Sequence, residues 1–211
     1  MPIFKIDAAA LYIAHTFLDT KCDALWCQKV YIEKSGSNDV RLTGTDGHKM
    51  ISFLLRGANP SQEDFKPFGI RVDNEALKIL KPRKNKRFYL TLTEEDRGIA
   101  LEANGIPVSV EGALYKFDVS QIWERARKHL ERGNTFSASV LPIREFKYFD
   151  LSGFFGTCIF PAFIKAGQMT VVNVQGLPQD IAARGLIMQT NAGVDEKKYA
   201  EIYGEDVPDW C

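Results

Sequence analysis

The sequence predicts an α+β fold made of repeated units, each with a strand, a helix and three further strands, in antiparallel sheets with the helices on one face. Apolar and polar residues alternate in short runs that are separated by turn signals, of which Asp46-Gly47 and Asn104-Gly105 are the clearest. Between the runs lie short segments with helical spacing of apolar residues. This order of elements occurs twice within the first 115 residues.

The first unit is centred on a hairpin over residues 40–56. Residues alternate from Val40 to Thr45, turn at Asp46-Gly47 and resume at Met50. This pattern predicts two strands, because glycine accepts positive φ and aspartate can bond the backbone two residues on. Before the hairpin, we expect a strand over residues 3–7, a helix capped by Asp7 and a strand from Leu25 to Lys34.

The second unit repeats this order after a polar connection. We expect a strand from Phe68 to Val72, a helix capped by Asp73 or Asn74, and strands over Arg87–Thr93, Ile99–Ala103 and Ile106–Glu111. Together the two units predict one mixed domain over residues 1–115.

The remaining chain is less regular. The predicted elements are strands over 115–119, 135–140, 159–165, 169–174 and 184–189, and helices over 121–132 and from Pro142 through Leu151. Residues 116–190 therefore resemble an incomplete domain that lacks several strands. Residues 191–211 are polar and acidic and are predicted to form a C-terminal tail.

Composition indicates a folded, cytoplasmic protein with reduced thiols. The 211 residues are 45% hydrophobic, and 27 basic side chains balance 27 acidic ones, so any DNA contact must come from local clustering. No apolar run approaches the length of a membrane span. The four cysteines show no Cys-x-x-Cys spacing, which argues against a structural zinc site.

The chain offers no pattern typical of an enzyme. Asp46 and His48 lie two residues apart, but no nucleophile or metal partner accompanies them. The acidic turn Glu94-Glu95-Asp96 has no spaced oxygen ligands for a divalent cation, and no glycine-rich phosphate loop is present. We therefore expect no catalysis, cofactor or metal.

Basic residues cluster at two predicted helices. The first cluster contains Lys78, Lys81, Arg83, Lys84, Lys86 and Arg87, and the second contains Arg125, Arg127, Lys128 and Arg132. Such runs favour salt-sensitive contact with phosphates without reading of the base sequence. The alternative is that each cluster is an ordinary solvated face.

The segment Thr45-Asp46-Gly47-His48-Lys49-Met50 resembles the Thr-Asp-Gly-His-Arg-Leu signature of bacterial beta sliding clamps, the processivity subunits of the replicative DNA polymerase. Residues 2–115 are similar to the family's middle domain, and residues 116–190 are similar to its last domain with strands missing. The segment from Gly185 to Thr190 occupies the position of the family's Met-Pro-Met-Arg-Leu terminus. This chain departs from that terminus at Ile187 and Gln189, and it has no counterpart of the first domain.

The resemblance implies that the two segments meet and line a cleft for partner peptides. The implied cleft residues are Thr45, Gly47, His48, Lys49, Met50, Leu186, Ile187 and Met188. It also implies that the basic helices face double-stranded DNA inside a homo-oligomeric ring, and that the cleft tethers a DNA polymerase or another partner.

Three alternatives remain at this stage. Leu186, Ile187 and Met188 alternate in a strand and would then serve only the core. In the second alternative, the chain is a truncated clamp mimic that binds clamp-binding peptides or a host clamp without encircling DNA. In the third alternative, the tail with Trp210 folds back and fills the cleft as an internal plug.

Overall fold

The computed structural model describes residues 3–22, 27–60, 65–82, 86–95, 98–114, 128, 148–155, 160–166 and 169–188. Their strands form two antiparallel sheets. One has four strands in the order β1-β6-β7-β8, and the other has eight strands in the order β10-β11-β12-β4-β3-β2-β5-β9. The predicted α+β class is therefore confirmed.

The elements have the following bounds. The strands are β1 (Ile3–Asp7), β2 (Val30–Ser35), β3 (Asp39–Thr45), β4 (Lys49–Leu55), β5 (Phe68–Val72), β6 (Tyr89–Glu95), β7 (Gly98–Ala103), β8 (Ile106–Val108), β9 (Val110–Leu114), β10 (Phe160–Ala166), β11 (Met169–Gln175) and β12 (Ile181–Met188). The helices are α1 (Ala8–Thr16), α2 (Asn74–Leu80) and α3 (Ser152–Phe155). None of the described helices is long and apolar enough to cross a membrane.

Both longer helices begin at the aspartates that the sequence indicates. The Asp7 carboxylate accepts a hydrogen bond from the Ala10 amide at 3.0 Å. Asp73 accepts one from the Ala76 amide at 2.8 Å. Each bond satisfies an amide in the first helical turn that has no partner within the helix, so both starts are encoded locally.

Two glycines let other elements pack closely on the large sheet. Gly44 and Gly185 both lie opposite Ile51, one on each side of β4, so all three share one sheet face. A Cβ at Gly44 would lie 1.9 Å from the carbonyl oxygen of Ala14 in α1. A Cβ at Gly185 would lie 2.0 Å from the Phe149 ring. Helix α1 and the Phe149 segment therefore occupy adjacent places on the same face.

This face carries one continuous apolar core. Residues of α1, of both sheets and of the segment before α3 belong to it, and the Phe17 and Phe149 rings pack edge to face with centroids 5.2 Å apart. Phe53 extends the aromatic packing to Phe155 at 6.4 Å. The core thus ties the segment near residue 150 to the first unit.

The large sheet joins parts of the chain that are distant in sequence. Strand β12 pairs with β4, whereas β2, β3, β4, β5 and β9 all come from the first 115 residues. The sheet consequently runs across the boundary predicted between residues 115 and 116. The division into domains stays a prediction.

Several predicted elements differ from the structure or lie outside its described residues. The strand predicted over Ile106–Glu111 is wrong as a single element, because the chain leaves the small sheet after Val108 and enters the large one at Val110. The strand expected from Leu25 begins at Val30. The elements predicted over 115–119, 121–132 and 135–140 lie outside the described residues, apart from the helical Lys128.

Candidate functional site

The turn of the β3–β4 hairpin is held by its own polar side chains. The Asp46 carboxylate accepts hydrogen bonds from the amides of His48 and Lys49, both at 2.8 Å. The Thr45 hydroxyl accepts from the Gly47 amide at 3.1 Å and donates to the Lys49 carbonyl at 2.9 Å. Gly47 has a φ of +92°, which glycine adopts without steric cost. The tip is therefore rigid, with Gly47 and His48 exposed.

Lys49 is held inside this arrangement. Its ammonium group forms an ion pair with Asp46 and lies 4.3 Å from the centroid of the Tyr148 ring. Burial opposes ionisation of Asp46, but hydrogen bonds from the Lys49 ammonium and from the amides of Lys49 and His48 outweigh it and lower its pKa. Lys49 accordingly stabilises the turn and is not a free cation at its edge.

The hairpin and the last described strand lie side by side. In the pairing of β4 with β12, Leu186 lies opposite Met50 and Ile187 lies opposite Lys49. Met188 follows at the end of β12, opposite Met169 of β11. The hairpin and the segment from Gly185, whose paired residues Met50 and Leu186 are 136 positions apart, therefore meet in one sheet.

The apolar residues at this junction are buried and do not form an open surface. Met50 is 3% exposed, Leu186 is 0% and Ile187 is 5%. Ile187 lies opposite Lys49 and shares the face of Ile51, whereas Met50 and Leu186 share the opposite face, so both faces are covered here. These three side chains therefore pack in the interior, beside the exposed Gly47 and His48 of the hairpin tip. The peptide cleft stays a prediction.

The first basic cluster is divided between exposed and paired residues. Lys78, Lys81 and Lys86 are exposed, and Lys78 forms a surface ion pair with Glu75 at 2.7 Å. Arg83 and Lys84 lie outside the described residues. In the second cluster Lys128 is exposed, and Arg125, Arg127 and Arg132 also lie outside them.

Arg87, in contrast, forms ion pairs with two carboxylates. Its Nε donates to Asp7 at 3.0 Å, and its two terminal nitrogens donate to the two oxygens of Asp180 at 3.1 and 2.8 Å. The bidentate bond from Arg87 lowers the pKa of Asp180. Because Asp7 caps α1 and Asp180 precedes β12, Arg87 ties three parts of the fold together. We therefore assign it a structural role and leave it out of the DNA surface proposed below.

A cavity of about 270 Å³ opens beside this ion-pair cluster. Its walls are formed by Lys5, Asp7, Leu55, Arg56, Gly57, Ala58, Tyr89 and Asp180. The Tyr89 hydroxyl donates to Asp180 at 3.2 Å, and Arg56 donates to the Gln179 carbonyl at 2.7 Å. Its lining contains two basic and two acidic side chains, so it carries no strong charge of one sign.

Three residues that hold this junction in place carry no recognisable motif in the sequence: Tyr148, Phe149 and Asp180. The density of aromatic residues between 146 and 155 is the one signal, and it indicates a packing segment. Within the described residues, no group of three or more His, Cys, Asp or Glu side chains has the arrangement of a metal site.

Comparison with known proteins gives a structural likeness and no match by sequence. No protein-family model and no curated protein matches the chain. Among solved structures, the DNA polymerase sliding clamp from Pseudomonas aeruginosa matches with a TM-score of 0.56 at 13% identity, over 89% of this chain and 66% of that one. The H. pylori beta clamp matches with a TM-score of 0.51 at 13% identity, over 88% and 63%.

An archaeal structure shares the same architecture. A. fulgidus PCNA, described with the C-terminal region of FEN-1 bound, matches with a TM-score of 0.50 at 9% identity, over 89% of this chain and 98% of that one. The chain spans somewhat less than two thirds of the two bacterial clamps. At these identities the likeness concerns architecture alone, and on that basis the chain has the sliding-clamp fold.

Proposed function

We propose that this protein is a sliding-clamp-like processivity factor that binds duplex DNA without sequence specificity, as a homo-oligomeric ring in the cytoplasm, and tethers a polymerase or another partner by a short peptide. The proposed role involves no chemical step and no cofactor. Besides the fold, one observation supports this function. The hairpin that resembles the clamp signature pairs directly with the strand that occupies the position of the family's terminal motif.

For DNA, the proposal relies on exposed lysines of the first basic cluster. Lys78, Lys81 and Lys86 project from α2 and the segment after it, and none of the three is buried. Exposed ammonium groups suit contact with phosphates, which gives affinity without reading bases. Arg83, Lys84, Arg125, Arg127, Lys128 and Arg132 are further candidates from the sequence pattern.

For peptides, the proposal relies on the rigid hairpin tip. Gly47 and His48 are exposed next to the buried apolar residues Met50, Leu186 and Ile187. A preorganised edge costs little ordering entropy when a partner binds, which favours recognition of a short segment. Met188 completes the proposed site, with Thr45 and Lys49 fixing the turn that presents it.

Ring formation is tested by combining light scattering with DNA of two topologies. A ring is expected to stay on nicked circular DNA and to slide off when that DNA is cut to a linear form. A protein that is strictly monomeric, with no salt-dependent DNA affinity, would reject the ring.

The phosphate contacts are tested by one substitution and a matched control. Lys81→Gln is expected to reduce the slope of log affinity against log salt by about 1, since one phosphate contact is lost. Lys66→Gln removes a charge that is also exposed but lies outside the basic clusters, and it is expected to leave the slope unchanged. Equal slopes for the two variants would remove Lys81 from the proposed DNA surface.

The peptide site is tested by fluorescence anisotropy with a labelled peptide that carries two bulky apolar residues. His48→Ala is expected to weaken binding, whereas Glu102→Ala, at an exposed position of β7, serves as the control. If both variants bind like the unaltered chain, the hairpin tip is not the site.

A second function is favoured by the departures of this chain from the family's terminal motif at Ile187 and Gln189. We propose as the alternative a clamp mimic that binds clamp-binding peptides or a host clamp and does not encircle DNA. Peptide binding that persists without any effect of DNA topology would select it.

The buried state of Met50 and Leu186 also motivates a test of the plug hypothesis, in which removal of residues 191–211 raises peptide affinity.

A further inference from the structure

The turn between β7 and β8 contains the one Asn-Gly pair in the sequence, Asn104-Gly105. Both residues have positive φ, 51° for Asn104 and 82° for Gly105, as in a two-residue type I′ hairpin turn. Ala103 and Ile106 are paired on the two sides of the turn. Both turn residues are exposed, so solvent reaches the tip of this hairpin.

The groups of this pair that can react with each other are not held by hydrogen bonds. A glycine amide nitrogen that follows asparagine can attack the asparagine side chain, because glycine has no side chain to shield it. Within the described residues, neither the Asn104 side chain nor the Gly105 amide forms a hydrogen bond.

The Asp46-Gly47 turn differs at both of these groups. The Asp46 carboxylate accepts hydrogen bonds from two backbone amides, and the Gly47 amide donates to the Thr45 hydroxyl at 3.1 Å. The two turns have related sequences, yet the side-chain carbon and the glycine nitrogen are held in the first and free in the second.

Strand β8 offers little resistance to local opening of its turn. It has three residues and lies at the edge of the small sheet as described, and Pro107 within it has no N–H to donate. Ile106 is 58% exposed, so little apolar burial holds the end of β8 next to the turn. Edge segments with few buried contacts open at a small cost in free energy. Such opening lets the Gly105 nitrogen approach the Asn104 side chain.

We propose that Asn104 is a site of spontaneous deamidation and isomerisation in the folded protein. The Gly105 amide nitrogen attacks Cγ of Asn104 and forms a C–N bond that closes a succinimide ring, while the side-chain amino group leaves with the amide proton as ammonia. Water then adds to one of the two ring carbonyls and breaks the bond from that carbonyl to the ring nitrogen. The product is aspartate or isoaspartate at position 104. Nothing is oxidised or reduced, and solvent water is the co-reactant.

Isoaspartate changes the path of the main chain through the turn. The chain then runs through the former side-chain carbons, which adds one carbon to the loop. A two-residue turn sets the register of its strands, so the longer path cannot keep Ala103 opposite Ile106. We expect β8 to leave the small sheet, whereas β9 stays in place because it pairs with β5 over five residues. This consequence is independent of what the protein binds.

The test is incubation of the full chain in mildly alkaline buffer, followed by peptide mapping and by methylation with an isoaspartyl methyltransferase. Peptide mapping is expected to show a carboxylate in place of the Asn104 amide, with isoaspartate in the same peptide. Asn104→Gly, which suits a type I′ turn, is expected to abolish this methylation. Hydrogen exchange of the incubated chain is expected to show lost protection in β8 and unchanged protection in β9.

Asp46→Asn supplies a matched comparison, because it places the same Asn-Gly pair in both turns of one molecule. The Gly47 amide keeps its bond to the Thr45 hydroxyl, so position 46 is expected to react several-fold more slowly than position 104. Two results would overturn the proposal: an Asn104 side chain that stays intact in the folded chain, or equal rates at the two positions. If circular dichroism shows that Asp46→Asn does not fold, peptide mapping of the unaltered chain decides alone.

Discussion

Gly185 provides the sharpest test of how β12 is held beside the hairpin. Its missing side chain leaves room for the Phe149 ring, and a Cβ there would lie 2.0, 2.8 and 3.0 Å from three ring carbons. These distances are far below ordinary contact, so Gly185→Ala forces the ring to move by more than 1 Å. Phe149 is fully buried against Phe17, which leaves it little space.

The expected cost follows from two opposing effects. Overpacking a well-filled core costs about 1–3 kcal/mol, and a buried ring as the obstacle argues for the upper end. Alanine within a strand recovers roughly 0.5–1 kcal/mol relative to glycine, because it loses less backbone entropy on folding. We therefore expect Gly185→Ala to lower the free energy of unfolding by about 2 kcal/mol.

Urea denaturation at constant slope measures this change, with two further variants as controls. Gly153→Ala, in α3, meets no atom within 4 Å and is expected to be neutral or slightly stabilising. Phe149→Leu shortens the obstacle, so the double variant is expected to lose less stability than the two single losses added together. Additive losses, or a Gly185→Ala chain as stable as the unaltered one, would refute the packing described for this junction.

Three other predictions address the rest of the fold. Gly44→Ala is expected to cost at least about 3 kcal/mol in urea denaturation, because the obstacle is the main chain of α1 and cannot rotate away. His15 is buried, and its Nε2 has no hydrogen-bond partner among the described residues. Burial lowers its pKa below 6.5, so its contribution to stability is complete above pH 6.5 and is lost below it. His15→Gln should reduce this loss, which is at most about 1.4 kcal/mol per pH unit. Arg87→Met leaves the buried Asp7 without its cation and should lower the free energy of unfolding by about 3 kcal/mol. Lys78→Met, at an exposed ion pair, should change it by less than about 0.5 kcal/mol. Equal effects of the two substitutions would contradict the structural role of Arg87.

Contacts across the molecule decided features that no local pattern reveals. The regular alternation around residue 109 continues while the chain changes sheets, because the period of side chains is the same in both strands. The partners of Arg87 lie 80 and 93 residues away, and the aromatic ring that covers Lys49 lies about 100 residues away. A run of basic residues therefore predicted charge correctly but could not distinguish a free cation from a paired one.

The sequence by itself determined the capped starts of α1 and α2 and the hairpin turn, because each depends on bonds between residues at most four positions apart. It indicated most of the strands by the alternation of apolar and polar residues. It also indicated which two segments belong together. Only the tertiary structure decided that Met50, Leu186 and Ile187 are interior residues, since alternation shows that a position is apolar and does not show what covers it. The same limit applies to Gly44 and Gly185, whose importance lies in the atoms that approach them from other elements.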